Sequence, residues 1–153
     1  DLEARGWMLL GAAWAGTAIE NSMLGAAHAA ANPLTAHFGV AHGHAVGLML
    51  PHVVRFNARE PVVARAYAEV ACLAQLAQPS DVPEAAAEHL ARRIESLLEL
   101  AGLPRALGHC GAKPEDIPRL ADEAARQWTA QFNPRPVTTL DFRDLYTAAL
   151  TPA

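Results

Sequence analysis

No stretch of this chain alternates apolar and polar residues for long enough to make a half-buried β-strand. Its β-branched runs are short, such as Val53-Val54 and Val62-Val63. No two glycines are adjacent. The glycine-rich turn after a strand that cradles a phosphate or a dinucleotide is therefore missing. Cys72 and Cys110 stand far apart, with no C-x-x-C spacing and no disulfide framework. Two incidental thiols in a reducing cytoplasm are the expectation. A dense Lys/Arg cluster is also lacking, and the formal net charge is −4, so a nucleic-acid partner is not expected.

A membrane span is not expected either. Residues 6–19 are nearly all apolar, but the run is shorter than the roughly 20 residues a bilayer requires. No basic segment precedes it, as one would in a signal peptide, and Glu20-Asn21-Ser22 closes it. Its alanines and glycines allow close helix approach, so a tightly packed core helix is expected. The chain has no initiator methionine. Asp1-Leu2-Glu3-Ala4-Arg5 already reads as the first turn of a helix, with acidic residues at the positive end of the dipole. This suggests a start inside a larger protein.

What is present suits an all-α, multi-helix bundle. The 153 residues are 52% hydrophobic and 18% charged, enough for one domain, residues 1–153, with a real core. Helical spacing predicts a helix over residues 2–21. A second is expected over 23–31, broken at Asn32-Pro33 because a residue before proline avoids the helical region. After a loop through Phe38 to Ala41, a helix is expected from His42 to about Asn57, kinked or interrupted at Pro51. Glu60-Pro61 should open a helix to about Ala77. Gln78-Pro79-Ser80-Asp81 reads as a turn, with Ser80 or Asp81 capping the next helix. In that helix Ala86, Leu90, Ile94, Leu97, Leu98 and Ala101 form one stripe, and Gly102 and Pro104 end it. A turn at 113–118 leads to a helix reaching about Thr129. Asn133-Pro134-Arg135-Pro136 reads as an extended linker, and Thr139 or Asp141 starts a last helix through Leu150.

The histidines are the unusual feature. Five of the seven fall in one stretch: His28, His37, His42, His44 and His52. Imidazole is the commonest neutral nitrogen ligand for transition metals. A helix–loop–helix turn can bring His28 and His42 face to face. His42 and His44, two apart, point to different sides of a helix. His52, in the apolar run Leu48 to Val54, is better read as a packed histidine. There is no H-E-x-x-H and no cysteine ligand set. From spacing alone, a metal pair and ordinary core or surface histidines both remain open.

The stretch from Ala15 to Asn57 narrows this. It contains Ala15-Gly16, Asn21, Leu24-Gly25, His28, Asn32-Pro33, a His42-Gly43 fourteen residues after His28, and Leu50-Pro51-His52-Val53. It closely resembles the metal-binding signature of the iron-containing (group III) alcohol dehydrogenases, in the dehydroquinate synthase-like superfamily. Asp116-Ile117-Pro118, Asn133-Pro134-Arg135-Pro136 and Leu145-Tyr146 resemble later landmarks of that family. The resemblance thus spans essentially the whole chain.

It implies a fold in which an N-terminal α/β domain binds NAD(P) and a C-terminal helical domain, the part seen here, faces it across a cleft. The metal, Fe²⁺ or sometimes Zn²⁺, would be held by an Asp and a His upstream of Asp1 and by two later histidines. Those two map onto His28 and His42. Many members carry another His four residues after the first of this pair. Here that place is Asn32, whose amide can hydrogen-bond but cannot shuttle a proton near neutral pH. Asn32 and Asn21 are candidate polar contacts near the pocket, Asn32 being the candidate catalytic residue. His37 and His44 match no family role.

The function implied is NAD(P)-dependent interconversion of a small alcohol with its aldehyde or ketone by hydride transfer, in a homo-oligomer. The chain alone, with two of four ligands and no nucleotide domain, should bind metal weakly and turn over no alcohol. A stand-alone helical scaffold or oligomerisation module is the competing reading. A small helical metal store is weaker, because Glu20 is the only acidic residue between Glu3 and Glu60.

Overall fold

The computed structural model describes residues 1–151. Among these there are seven α-helices, short 3₁₀ turns and no strand, which is the all-α architecture expected. The helices are α1 (Leu2–Ser22), α2 (Ala26–Phe38), α3 (His42–Asn57), α4 (Pro61–Leu73), α5 (Pro83–Leu100), α6 (Ile117–Ala125) and α7 (Thr139–Leu150).

Two layers share α3. On one side α2, α6 and α7 enclose the main core, with Leu34, Leu48, Met49, Leu120, Phe142 and Tyr146 at or near zero exposure. On the other side α4 and α5 pack against α3 through Val54, Ala64, Ala87 and Ala91. α2 is built for close packing. Ala26, Ala27, Ala29, Ala30 and Ala31 are all buried, and such small side chains let neighbouring backbones approach. Gly39 ends α2 in the left-handed region (φ 64°), its N–H bonded to the Thr35 carbonyl. Only glycine adopts that conformation without strain. The chain can therefore turn sharply into α3.

Local signals place several boundaries. Asp1 caps α1, its Oδ1 accepting from the N–H groups of Glu3 (2.9 Å) and Ala4 (3.3 Å). Thr138 and Asp141 cap α7 reciprocally, the motif that satisfies two otherwise unpaired donors. Pro61 and Pro83 open α4 and α5 at first-turn positions, where a missing N–H costs nothing.

Four expectations are corrected. α2 is not broken at Asn32-Pro33 but continues to Phe38, with Pro33 inside it and fully buried. The packing around α2 outweighs the local preference. α3 likewise runs unbroken through Pro51. α5 takes no side-chain cap from Ser80 or Asp81 and begins from Val82 instead; Asp81 accepts from the Gln78 N–H and closes the preceding turn. α1 is not a packed core helix. None of its residues is buried, and Trp7, Met8, Leu9 and Trp14 are 65–75% exposed. Apolar content marks a face that favours burial but does not say what covers it, and nothing among the described residues covers this one. No helix among them is long and apolar enough to cross a membrane.

Smaller shifts follow from packing. α4 ends at Leu73 rather than near Ala77. α6 stops at Ala125, and Trp128–Phe132 forms a 3₁₀ turn in place of the expected last helical turns. In α5 the buried stripe is Ala86, Ala87, Ala91 and Leu98, while Leu97 is 48% exposed.

Candidate metal centre

His28 is the third residue of α2, half-buried on a helix otherwise filled with buried alanines. His42 is the first residue of α3 and exposed. The turn at Gly39 folds the second helix back, and the two imidazole rings come together with centres 5.5 Å apart and planes inclined at 46°. Metal–nitrogen bonds of about 2 Å at roughly tetrahedral angles place two ligating imidazole centres about 5 Å apart. The observed separation fits a shared divalent metal.

The electrostatics agree with that fit. Burial, and then the nearby His42, push the His28 imidazole below its ordinary pKa. A neutral ring keeps its nitrogen lone pair free, as ligation requires. Among the described residues no third His, Cys, Asp or Glu joins the pair. The two histidines by themselves do not form a closed cage.

Asn32 lies one helical turn beyond His28, on the same face. Its Nδ2 donates to Gln127 Oε1 at 2.9 Å. Gln127 also lines an open groove of about 480 Å³ with Trp128, Gln131 and Val137. Sequence reasoning named Asn32 but missed Gln127, because the contact joins residues 95 apart. Asn21 sits exposed on α1, its Nδ2 donating to the Thr17 carbonyl at 2.7 Å.

Two further histidines of this stretch are otherwise engaged. His37 Nε2 meets Glu123 Oε2 at 2.7 Å. His44 Nε2 lies 2.8 Å from the Pro104 carbonyl and ties α3 to the loop after α5. His52 is lowered in pKa by burial and then by Arg55, against the opposing pull of Glu95. Cys72 and Cys110 are free, and burial raises the Cys110 thiol above its ordinary pKa.

Residues 1–150 match the C-terminal domain of the Fe-containing alcohol dehydrogenase family. The chain belongs to that family. It is 33% identical over 149 residues to the lactaldehyde reductase of Escherichia coli K12, covering 97% of this chain and 38% of that enzyme. It is 36% identical over 138 residues to a 1-propanol dehydrogenase of Citrobacter freundii, covering 88% and 37% respectively. The crystal structure of a 1,3-propanediol oxidoreductase superposes on 98% of this chain and 39% of its own, with a TM-score of 0.90 and 30% identity. The chain therefore spans somewhat over a third of the length of these relatives. That family is the one the Ala15-to-Asn57 stretch resembles.

Proposed function

We propose that this chain is the metal-binding helical part of an NAD(P)-dependent alcohol dehydrogenase, with His28 and His42 as two of the metal's ligands. The observation that carries this is the 5.5 Å approach of two imidazoles from separate helices, at the positions that match the family's ligating pair. When bound, Fe²⁺ or Zn²⁺ supplies Lewis-acid polarisation of an alcohol or carbonyl oxygen, and a nicotinamide cofactor accepts or returns the hydride.

The chain's own residues hold and shape that centre. His28, kept neutral by burial, offers a nitrogen from a rigid, alanine-packed helix. His42 offers the second from the start of α3. Asn32, fixed by Gln127, presents an amide on the face that bears His28. It can orient a substrate hydroxyl but does not relay its proton. Small alcohols and aldehydes are the substrate class, by analogy with the lactaldehyde and 1-propanol of the relatives' names. The nucleotide and the remaining ligands belong to residues outside this chain. We place the intact enzyme in the cytoplasm, as a homo-oligomer.

The test is Zn²⁺ titration of the chain, followed calorimetrically, against His28→Ala and His42→Ala. Removing either ligand should weaken binding by roughly tenfold or more, since affinity belongs to the set. Equal affinity in all three proteins refutes the reading. The chain by itself should give no NAD(P)-dependent alcohol oxidation with either metal, and robust turnover would contradict that.

A non-catalytic scaffold or oligomerisation module is the second reading, favoured by the full exposure of α1. The parent reading frame separates the two. A glycine-rich α/β segment upstream supports the dehydrogenase, and a start codon just before Asp1 supports the module.

A further inference from the structure

A buried pair of amides sits at the entrance to α2. Asn57, the last residue of α3, is 1% exposed, and Asn133, in the loop before α7, is 9% exposed. Asn133 Nδ2 donates to Asn57 Oδ1 at 2.7 Å, and Asn57 Nδ2 returns a bond to Asn133 Oδ1 at 3.2 Å. Asn57 Nδ2 also reaches Tyr67 Oη at 3.0 Å, and Asn133 Nδ2 reaches the Arg135 carbonyl at 2.6 Å. Arg135 fastens the same loop to the end of α3. It donates to the Phe56 carbonyl at 2.7 Å, and its guanidinium carbon lies 3.9 Å from the centre of the Phe56 ring.

The remaining bond carries the inference. Asn133 Oδ1 accepts from the backbone N–H of Ala26 at 3.3 Å. Ala26 is the first residue of α2, two before His28. Helix starts leave N–H groups without intrahelical partners, and a side chain at the N-cap position normally takes one of them. Here the N-cap is Gly25, which has none to offer. A Cβ on Gly25 would stand 3.1 Å from Asn133 Oδ1. The glycine leaves room for a cap that arrives from 107 residues away.

We propose that Asn133 is a positioning residue for the histidine pair. It caps α2 from outside and locks that helix's first turn to the far end of α3. The first turn of α2 is then held on both sides, by the Asn57–Asn133 pair at one end of α3 and by the approach of His28 to His42 at the other. The spacing of the two imidazoles is set by this clamp. Its bearing on metal rests on the function proposed above; the clamp itself does not.

The experiment compares wild type, Asn133→Ala, the double variant Gly25→Ser/Asn133→Ala and His28→Ala in the full 153-residue chain. Serine at 25 supplies a local cap in the space that the shortened residue 133 vacates. Two readouts are used: Zn²⁺ affinity by calorimetry, with His28→Ala as background, and amide exchange at Ala26 and Ala29 without metal. Asn133→Ala should weaken Zn²⁺ binding about tenfold and speed exchange by a similar factor, as loss of a cap predicts. The double variant should return Zn²⁺ affinity and Ala29 exchange to within about threefold of wild type, because an N-cap serine bonds the second or third helical N–H and leaves that of Ala26 unpaired.

Unchanged affinity and exchange in Asn133→Ala overturn the proposal. So does a double variant that regains slow exchange but not Zn²⁺ affinity, because the clamp would then act on stability alone. If Asn133→Ala unfolds, the double variant decides by whether it regains fold and affinity together. If wild type binds no more Zn²⁺ than His28→Ala, the metal reading fails, and Ala26 exchange in Asn133→Ala alone upholds or overturns the clamp.

Discussion

The hydroxyl of Tyr146 donates to the carbonyl of Ala30 across 2.7 Å, three residues before a proline in the middle of the same helix. Pro33 has no N–H to give the Ala29 carbonyl, and its ring crowds that turn of α2. Tyr146, fully buried on α7, supplies a donor one residue away from the carbonyl left short. Burial, and then Glu123, hold its phenol well above the ordinary tyrosine pKa, so it stays a donor throughout the working range.

Tyr146→Phe should therefore cost about 1 kcal/mol, the net value of a buried neutral hydrogen bond. Urea unfolding followed by far-UV circular dichroism measures it. The midpoint should fall and the slope should stay fixed. An unmoved midpoint would mean that α2 passes Pro33 unaided.

Much of this fold can be read from residue order, and what cannot be read is specific. The approach of His28 to His42 was legible through the resemblance to a family signature; spacing alone left it open. The all-α class was legible because no segment alternates. The passage of α2 through Pro33 was not, because the packing around α2 comes from residues far along the chain, Leu120, Phe142 and Tyr146 among them. Asn133 read as part of a linker, since nothing nearby shows that its amide is buried against Asn57. The fate of α1 was hidden for the opposite reason. Its composition reports a tendency to be covered, and the cover is not among the described residues.

Arg55 grips two carboxylates of α5. Its Nε and Nη2 bond Glu88 at 2.8 and 2.9 Å, and its Nη1 reaches Glu95. Hydrogen bonding to Arg55 is the largest influence holding Glu88 below its ordinary pKa, with Arg92 adding to it. A depressed carboxylate stabilises the fold above its unfolded pKa and loses that contribution as pH falls through the folded value. Stability should thus decline below about pH 4.5, where free carboxylates begin to protonate. Arg55→Met should cost about 1 kcal/mol at pH 7, modest because all three side chains are partly solvated. It should also flatten the acid limb of the urea midpoint against pH. An unchanged limb would assign that limb to other carboxylates.

α1 should be the least protected helix in the chain. A helix of this length without tertiary contacts is marginal in water, and none of its residues is buried. Amide exchange at neutral pH should show residues 6–20 exchanging orders of magnitude faster than the cores of α2 and α3. Trp7→Ala and Trp14→Ala should shift the unfolding midpoint by less than about 0.5 kcal/mol, as exposed sites do. Strong protection of α1 in dilute solution would mean that a second surface covers it.

Asn32→His is the sharpest probe of the metal centre. Two histidines four apart on one helix face can share a single metal, and position 32 stands one turn beyond His28. With His42 already 5.5 Å from His28, the variant would bring a third nitrogen to the same region. Zn²⁺ affinity should rise at least roughly tenfold, since each added ligand tightens the set. The exchange forfeits the bond from Asn32 to Gln127, so a stability loss of about 1 kcal/mol should accompany it. Adding His42→Ala should remove most of the gain if the three rings address one ion. A gain that survives that second change would locate the metal on α2 alone and separate it from α3.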